Sequence, residues 1–283
     1  MSAQGPRERT APVREYLGGT NNSEKRVWAE INGWMHLQAV QWEPAGEQLL
    51  AMLGDGAGLR AIDVGCGPLG WLRVLSRWVG PGGRVVGSEI AEDTAEPARQ
   101  TARGEGLTNV EVVVDDLFAT SLPERSFDLV HARFVLGPLG KVDEQMATYR
   151  RLLKPGGWLV LEEPDMGAWQ FNPDAPANRR LSELMVDAYR AMGRDVTIGR
   201  RIRTILREHS QAPGVRAHIL ALPPGHVYRS WPLMGASAIR DALAAAHGAE
   251  EVDGLIERAH EELRDPELWC TTFALVQGYA RID

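Results

Sequence analysis

Between residues 59 and 162, five short apolar runs alternate with helical segments, an order that few architectures accommodate. Leu59-Arg60-Ala61-Ile62-Asp63-Val64 is mostly apolar and runs into glycines, as a strand buried on both faces does. A helix over 71–79 follows and is stopped by Pro81-Gly82-Gly83. Residues 84–89, 110–114, 127–131 and 158–162 read as four more strands, with helices over 95–104 and 141–153 between them. Strands separated by helices require right-handed crossovers, which predicts a parallel, doubly wound α/β sheet.

The flanks are less regular. Residues 1–14 are polar and read as a tail. Val27, Ile31, Trp34, Leu37, Leu49, Leu50 and Leu53 recur at helical spacing, which predicts two or three helices broken near Gly18-Gly19 and Pro44. Beyond Pro164, residues 179–192, 198–209, 238–246 and 251–263 read as helices. Residues 215–222 and 270–280 read as strands.

Composition narrows the function classes. The chain has 283 residues and a net charge of −7, which disfavours nonspecific phosphate binding and hence nucleic acid as a partner. Two distant cysteines, Cys66 and Cys270, make neither a disulfide framework nor a zinc site, and no metal is expected. No apolar run approaches ~18 residues, and the N-terminus has no apolar signal core, so the expectation is a cytoplasmic protein without a membrane partner.

The turn after the first strand reads Gly65-Cys66-Gly67-Pro68-Leu69-Gly70, with glycines spaced G-x-G-x-x-G. Glycine permits positive φ and close approach of a ligand to the backbone, and the following helix start presents unpaired N–H groups. The spacing alone fits nicotinamide, flavin and other nucleoside binders. Two residues shift the balance. Asp63 sits inside the strand, where a carboxylate needs hydrogen bonds or a cation. Pro68 removes one N–H from a pyrophosphate cradle. A ligand with a cationic end and no pyrophosphate suits such a loop.

Residues 61–68, Ala-Ile-Asp-Val-Gly-Cys-Gly-Pro, resemble the first motif of class I S-adenosylmethionine-dependent methyltransferases. Residues 84–89 resemble the second strand with its ribose-binding acid. Residues 126–130 resemble the fourth strand, and 151–161 the turn and fifth strand. The resemblance implies a mostly parallel seven-stranded, Rossmann-like sheet. It implies a tail and helical lid over 1–44, a cofactor-binding core over 45–165, a helical substrate cap over 166–212 and a C-terminal completion of the sheet over 213–283. S-adenosylmethionine is the implied cofactor and S-adenosylhomocysteine the product.

Roles carry over one residue at a time. The resemblance implies that Glu89 accepts both ribose hydroxyls, with Ile90 beside it, and that Asp116 accepts the adenine amine while the Leu117 N–H meets a ring nitrogen; Asp115 competes with Asp116. It places Gly65, Cys66 and Gly67 around the methionine moiety, with Asp63 orienting the loop or reaching the ammonium through water. Ala132 and Arg133 follow the fourth strand where the backbone meets that moiety, and Gln38 lies where related enzymes reach the cofactor carboxylate.

For the acceptor, the motifs of amino-group enzymes acting on DNA or protein, of cytosine ring-carbon enzymes, of metal-dependent catechol enzymes and of protein arginine enzymes are absent. The resemblance then implies a small-molecule enzyme of specialised metabolism, transferring methyl to carbon, nitrogen or oxygen. Residues 14–20 resemble the gating segment of such enzymes, which makes Tyr16 a candidate substrate contact or base. His131 is a second candidate base. Met166, Trp169 and Phe171 follow the fifth strand at the ligand-binding edge, and with Trp231 suit a flat aromatic substrate. A non-methylating, pericyclase-like relative and a nicotinamide-dependent oxidoreductase remain as alternatives, and a homodimer through the N-terminal helices stays open.

Overall fold

The structure, a computed structural model, describes residues 23–283. Its centre is a seven-stranded sheet of order β3-β2-β1-β4-β5-β10-β7. The strands are β1 (Arg60–Val64), β2 (Arg84–Glu89), β3 (Val110–Val114), β4 (Phe127–Arg133), β5 (Leu153–Asp165), β7 (Gly214–His218) and β10 (Ala274–Ile282). The first five are parallel; β10 enters antiparallel between β5 and β7. The doubly wound, mostly parallel sheet is the one expected from the sequence.

Alternation along each strand divides two cores. Ala61, Val85, Leu129 and Val160 pack toward α2 (Leu72–Val79), α3 (Glu92–Gly104) and the C-terminal half of α1 (Ser23–Leu53). Ile62, Val130, Leu159 and Leu161 face α5 (Val142–Leu152) and α7 (Ile202–Arg207) on the other side, together with Ile202, Ile205 and Leu206. Small residues Ala95, Ala98 and Ala102 bring α3 close to the sheet.

Helix α1 runs unbroken through Pro44, against the expected break. Pro44 and Val40, whose carbonyl loses its partner, are both exposed, so water can satisfy that oxygen. Trp42, Ala45 and Leu49 are buried on the opposite side and hold the helix down. Glu43 fixes it to α2 by ion pairs to Arg73 and Arg77. The expected break at Gly18-Gly19 lies outside the described residues.

A third core caps the carboxyl ends of the strands. Helix α6 (Pro176–Ala191) packs against α8 (Trp231–Ala238) and α10 (Ala249–Glu262), and α9 (Arg240–His247) closes the group. The cap is therefore assembled from segments on both sides of β7. Both late strands are also split. The expected strand over 215–222 becomes β7 and β8 (Ala221–Leu222), and that over 270–280 becomes β9 (Trp269–Thr271) and β10. Leu220 and Thr272 exchange hydrogen bonds at the break, the Thr272 N–H donating to the Leu220 carbonyl at 2.9 Å. There both chains leave the large sheet and join β6 (Gln170–Asn172) in a small antiparallel one. The short α4 (Leu136–Leu139) follows β4.

Candidate functional site

A cavity of about 380 Å³ opens at the carboxyl ends of β1, β2, β3 and β4, within the range of ligand sites. Parallel strands put their ends and the following turns on one edge, so residues far apart in sequence converge there. One end is polar: Ser88, Glu89, Thr94, Asp115 and Asp116 line it beside Gly65, Gly67, Ile90 and Leu117. The other is apolar and aromatic, with Trp34, Phe134, Tyr189, Trp231 and Phe273 in its walls.

The loop conformation explains its glycines. Gly65 and Gly67 have φ of 64° and 55°. A Cβ at Gly70 would lie 2.2 Å from Asp63 Oδ2, so a carboxylate fills the space that a side chain would need. Glu89 reaches back from β2, its Oε1 accepting the Gly67 N–H at 2.6 Å and its Oε2 the Ile90 N–H at 3.2 Å. Burial raises the Glu89 pKa, and these N–H donors oppose the shift. Two acceptor oxygens with unused lone pairs, fixed beside the cavity, match a vicinal diol. Asp116 accepts the Phe118 N–H through Oδ1, leaving Oδ2 for a donor on a ligand. Gln38 lines the cavity from α1 and donates to the Tyr228 hydroxyl at 3.4 Å. These acceptors fit the ribose hydroxyls and adenine amine of S-adenosylmethionine, and the loop leaves room for backbone contact.

Other expected residues are placed elsewhere. Asp63 is buried and turned beneath the loop, where Oδ2 accepts the Trp71 N–H at 2.6 Å. The N–H of the residue that caps α2 is thus occupied by protein. His131 is 0% exposed, with Nδ1 2.6 Å from Asp63 and Nε2 3.3 Å from Glu162. It does not reach the cavity, because the face of β4 that it shares with Leu129 and Arg133 is covered by Trp71, stacked on its ring at 3.8 Å. Burial opposes charging the imidazole, but Asp63 and Glu162 outweigh it and raise its pKa. Arg133 turns its Nη2 onto the Gly70 carbonyl and its Nη1 toward Glu162, 3.6 Å away, instead of into the cavity. Ala132 and Cys66 are buried within the core clusters. Burial lifts the Cys66 thiol well above its ordinary pKa and Cys270 to about 12, so both stay protonated at neutral pH. Tyr16 lies outside the described residues.

At the acceptor end the structure selects differently among the aromatics. Trp231 lines the cavity as expected. Met166 and Trp169 are 1% and 6% exposed and fill the cap core behind it, and Phe171 packs against Trp169. The turn after β5 folds them inward, where Trp169 meets Trp231, Tyr228 and Phe273. Phe134 and Phe273, which the sequence reading missed, form an edge-to-face pair at 5.6 Å. Phe134 holds a φ of 57°, a left-handed conformation that sends its ring into the cavity wall. A non-glycine residue there has no sequence signal.

Among the described residues no cluster of His, Cys, Asp or Glu is arranged to hold a metal ion, and no helix is long and apolar enough to cross a membrane.

Comparisons with known proteins bear on the family and the fold. Residues 61–157 match a methyltransferase domain family. Nocamycin O-methyltransferase of Saccharothrix syringae is 32% identical over 136 residues, 47% of this chain and 49% of that protein. Aklanonic acid methyltransferase of a Streptomyces species is 33% identical over 128 residues, 45% of this chain and 58% of that protein. The chain thus spans about half the length of these curated relatives. The solved YcgJ protein of Bacillus subtilis has the same fold, with a TM-score of 0.55 at 19% identity over 84% of this chain and 99% of that one. The glycine loop, Glu89 and Asp116 all lie within the matched segment, so residues 61–157 are similar to a methyltransferase domain.

Proposed function

We propose that the protein transfers a methyl group from S-adenosylmethionine to a small, apolar, aromatic acceptor, at carbon, nitrogen or oxygen. One observation carries this reading: a single cavity has a hydrogen-bonding end at β2 and β3 and an aromatic end beneath the cap. When bound, S-adenosylmethionine supplies an electrophilic methyl on its sulfonium. Glu89 and Asp116 bind the nucleoside part, and Gly65 and Gly67 let the backbone close on the remainder. Trp34, Phe134, Trp231 and Phe273 hold a flat acceptor by stacking and exclude water from it. The protein's contribution is mainly alignment, which in-line displacement rewards. The two relatives, each named as a methyltransferase of a particular small molecule, support the acceptor class.

Methyl-labelled S-adenosylmethionine, incubated with the protein and an extract of its source cells, tests the reading once products are separated by size. Label in the small-molecule fraction is expected. Label on protein or nucleic acid overturns the acceptor class.

A further inference from the structure

Four ionisable side chains, acid and base in alternation, lie beneath the glycine loop: Asp63 on β1, His131 on β4, Glu162 on β5 and Arg133 on β4. Their side chains are all 6% exposed or less. Asp63 is in register with His131, and Arg133 with Glu162. The two ends of the row meet at one peptide group. Asp63 Oδ2 accepts the Trp71 N–H at 2.6 Å, and Arg133 Nη2 donates to the Gly70 carbonyl at 3.3 Å. Gly70 C=O and Trp71 N–H belong to the same peptide bond, where the loop becomes helix. The Trp71 indole lies flat on the His131 ring, 10° from parallel. From β10, Gln277 donates to Glu162 Oε1 at 2.6 Å.

We propose that this row is a clamp on the Gly70–Trp71 peptide that sets the cofactor loop, and that His131 is the positioning residue joining its two arms. The inference rests on the loop being the S-adenosylmethionine site. Without the imidazole, Asp63 and Glu162 would be buried carboxylates lacking their shared partner. One would then take up a proton or move, and the hold on the Trp71 N–H or on Arg133 would loosen. The charged groups around His131 are Asp63 from β1 and Glu162 from β5. Arg133 lies beyond Glu162, and Glu89 adds negative charge behind Asp63. Trp71 and Gln277, packed from α2 and β10, are uncharged. The two carboxylates favour the charged ring, and burial of Glu162 is outweighed by His131, Arg133 and Gln277, which lower its pKa.

The test is calorimetric binding of S-adenosylhomocysteine to the full chain from about pH 6 to about pH 9.5, for wild type, His131→Gln and Arg133→Lys, with the Tm of each. Wild-type affinity should fall as pH rises through the raised His131 pKa. His131→Gln should bind roughly tenfold weaker at neutral pH and lose that pH dependence. Arg133→Lys should bind more weakly by at least about threefold and keep the pH dependence; it carries the test if His131→Gln does not fold. The proposal is overturned if wild type binds and both variants match it within about twofold. It is equally overturned if His131→Gln keeps the wild-type pH profile. Wild-type protein that binds no S-adenosylhomocysteine overturns the cofactor reading itself, and the clamp with it.

Discussion

Glu89 bridges the end of β2 and the glycine loop, its Oε1 2.6 Å from the Gly67 nitrogen. A side chain that both shapes the loop and faces the cavity couples loop order to ligand binding. Replacing Glu89 by Ala removes charged acceptors from the site. S-adenosylmethionine binding should weaken by about 2–4 kcal/mol, read by calorimetry. Glu89→Gln keeps one carbonyl acceptor and should lose less. An unchanged Kd in Glu89→Ala would remove the residue from its assigned role.

Gly70 has a φ of 49°, and a Cβ there would press on Asp63 Oδ2 and on the Cys66 carbonyl, 2.4 Å away. Neither is the free end of a flexible chain. Gly70→Ala should therefore cost more than about 1–3 kcal/mol of stability in denaturant unfolding. Cofactor affinity should fall with it. A stable variant with normal affinity would show that the loop tolerates rearrangement.

Trp231 is only partly buried and stands in the cavity wall at the end of the site away from Glu89. Trp231→Ala should raise the acceptor KM by roughly tenfold or more while leaving the Kd for S-adenosylhomocysteine within about twofold of wild type. Steady-state kinetics with a methyl-accepting aromatic compound separates the two effects. Weakened cofactor binding with unchanged acceptor KM would move Trp231 out of the acceptor site.

Glu163 is fully buried on β5, next to Glu162, and accepts the N–H groups of Val135, Leu136 and Gly137 at the start of α4. Burial outweighs these donors and raises its pKa from 4.5 to about 8. The folded chain then holds this proton where the unfolded chain has lost it. Stability from this group falls as pH rises from 4.5 toward 8. The raised His131 adds in the same direction, because its contribution is complete below its unfolded pKa and is lost above its folded one. Glu162, with a lowered pKa, acts oppositely and is lost only on acidification. Urea unfolding should show stability declining from about pH 5 to about pH 9. Glu163→Gln, whose amide oxygen can still accept N–H groups, should remove up to about 4–5 kcal/mol of that decline. A variant with the wild-type slope would assign the decline to other groups.

The polar half of the site was legible because it is local. Glu89, Ile90, Asp116 and Leu117 follow strands directly, and parallel register delivers such positions to one edge whatever packs around them. Gly65, Gly67 and Gly70 are likewise demanded by the turn itself, through their positive φ. The sheet followed from apolar runs that alternate with helices.

The aromatic half was not legible, because apolar contact is non-directional and the same side chain serves a core or a cavity wall. Trp169 and Trp231 read alike in sequence, yet the turn after β5 buries one and α8 presents the other. Phe273 reaches the cavity because β9 and β10 part at Thr272, a break set by the partner strand at Leu220. His131 shows the same division. Its place within β4 follows from the sequence, but its surroundings depend on Asp63, Glu162 and Trp71 arriving from three other elements. The sheet, the glycine loop and the strand-end acids could be read from the sequence, since backbone conformation and strand periodicity are local. Which aromatic rings line the cavity and which ionisable groups meet beneath the loop came from the folded arrangement, since packing and burial are properties of the assembled chain.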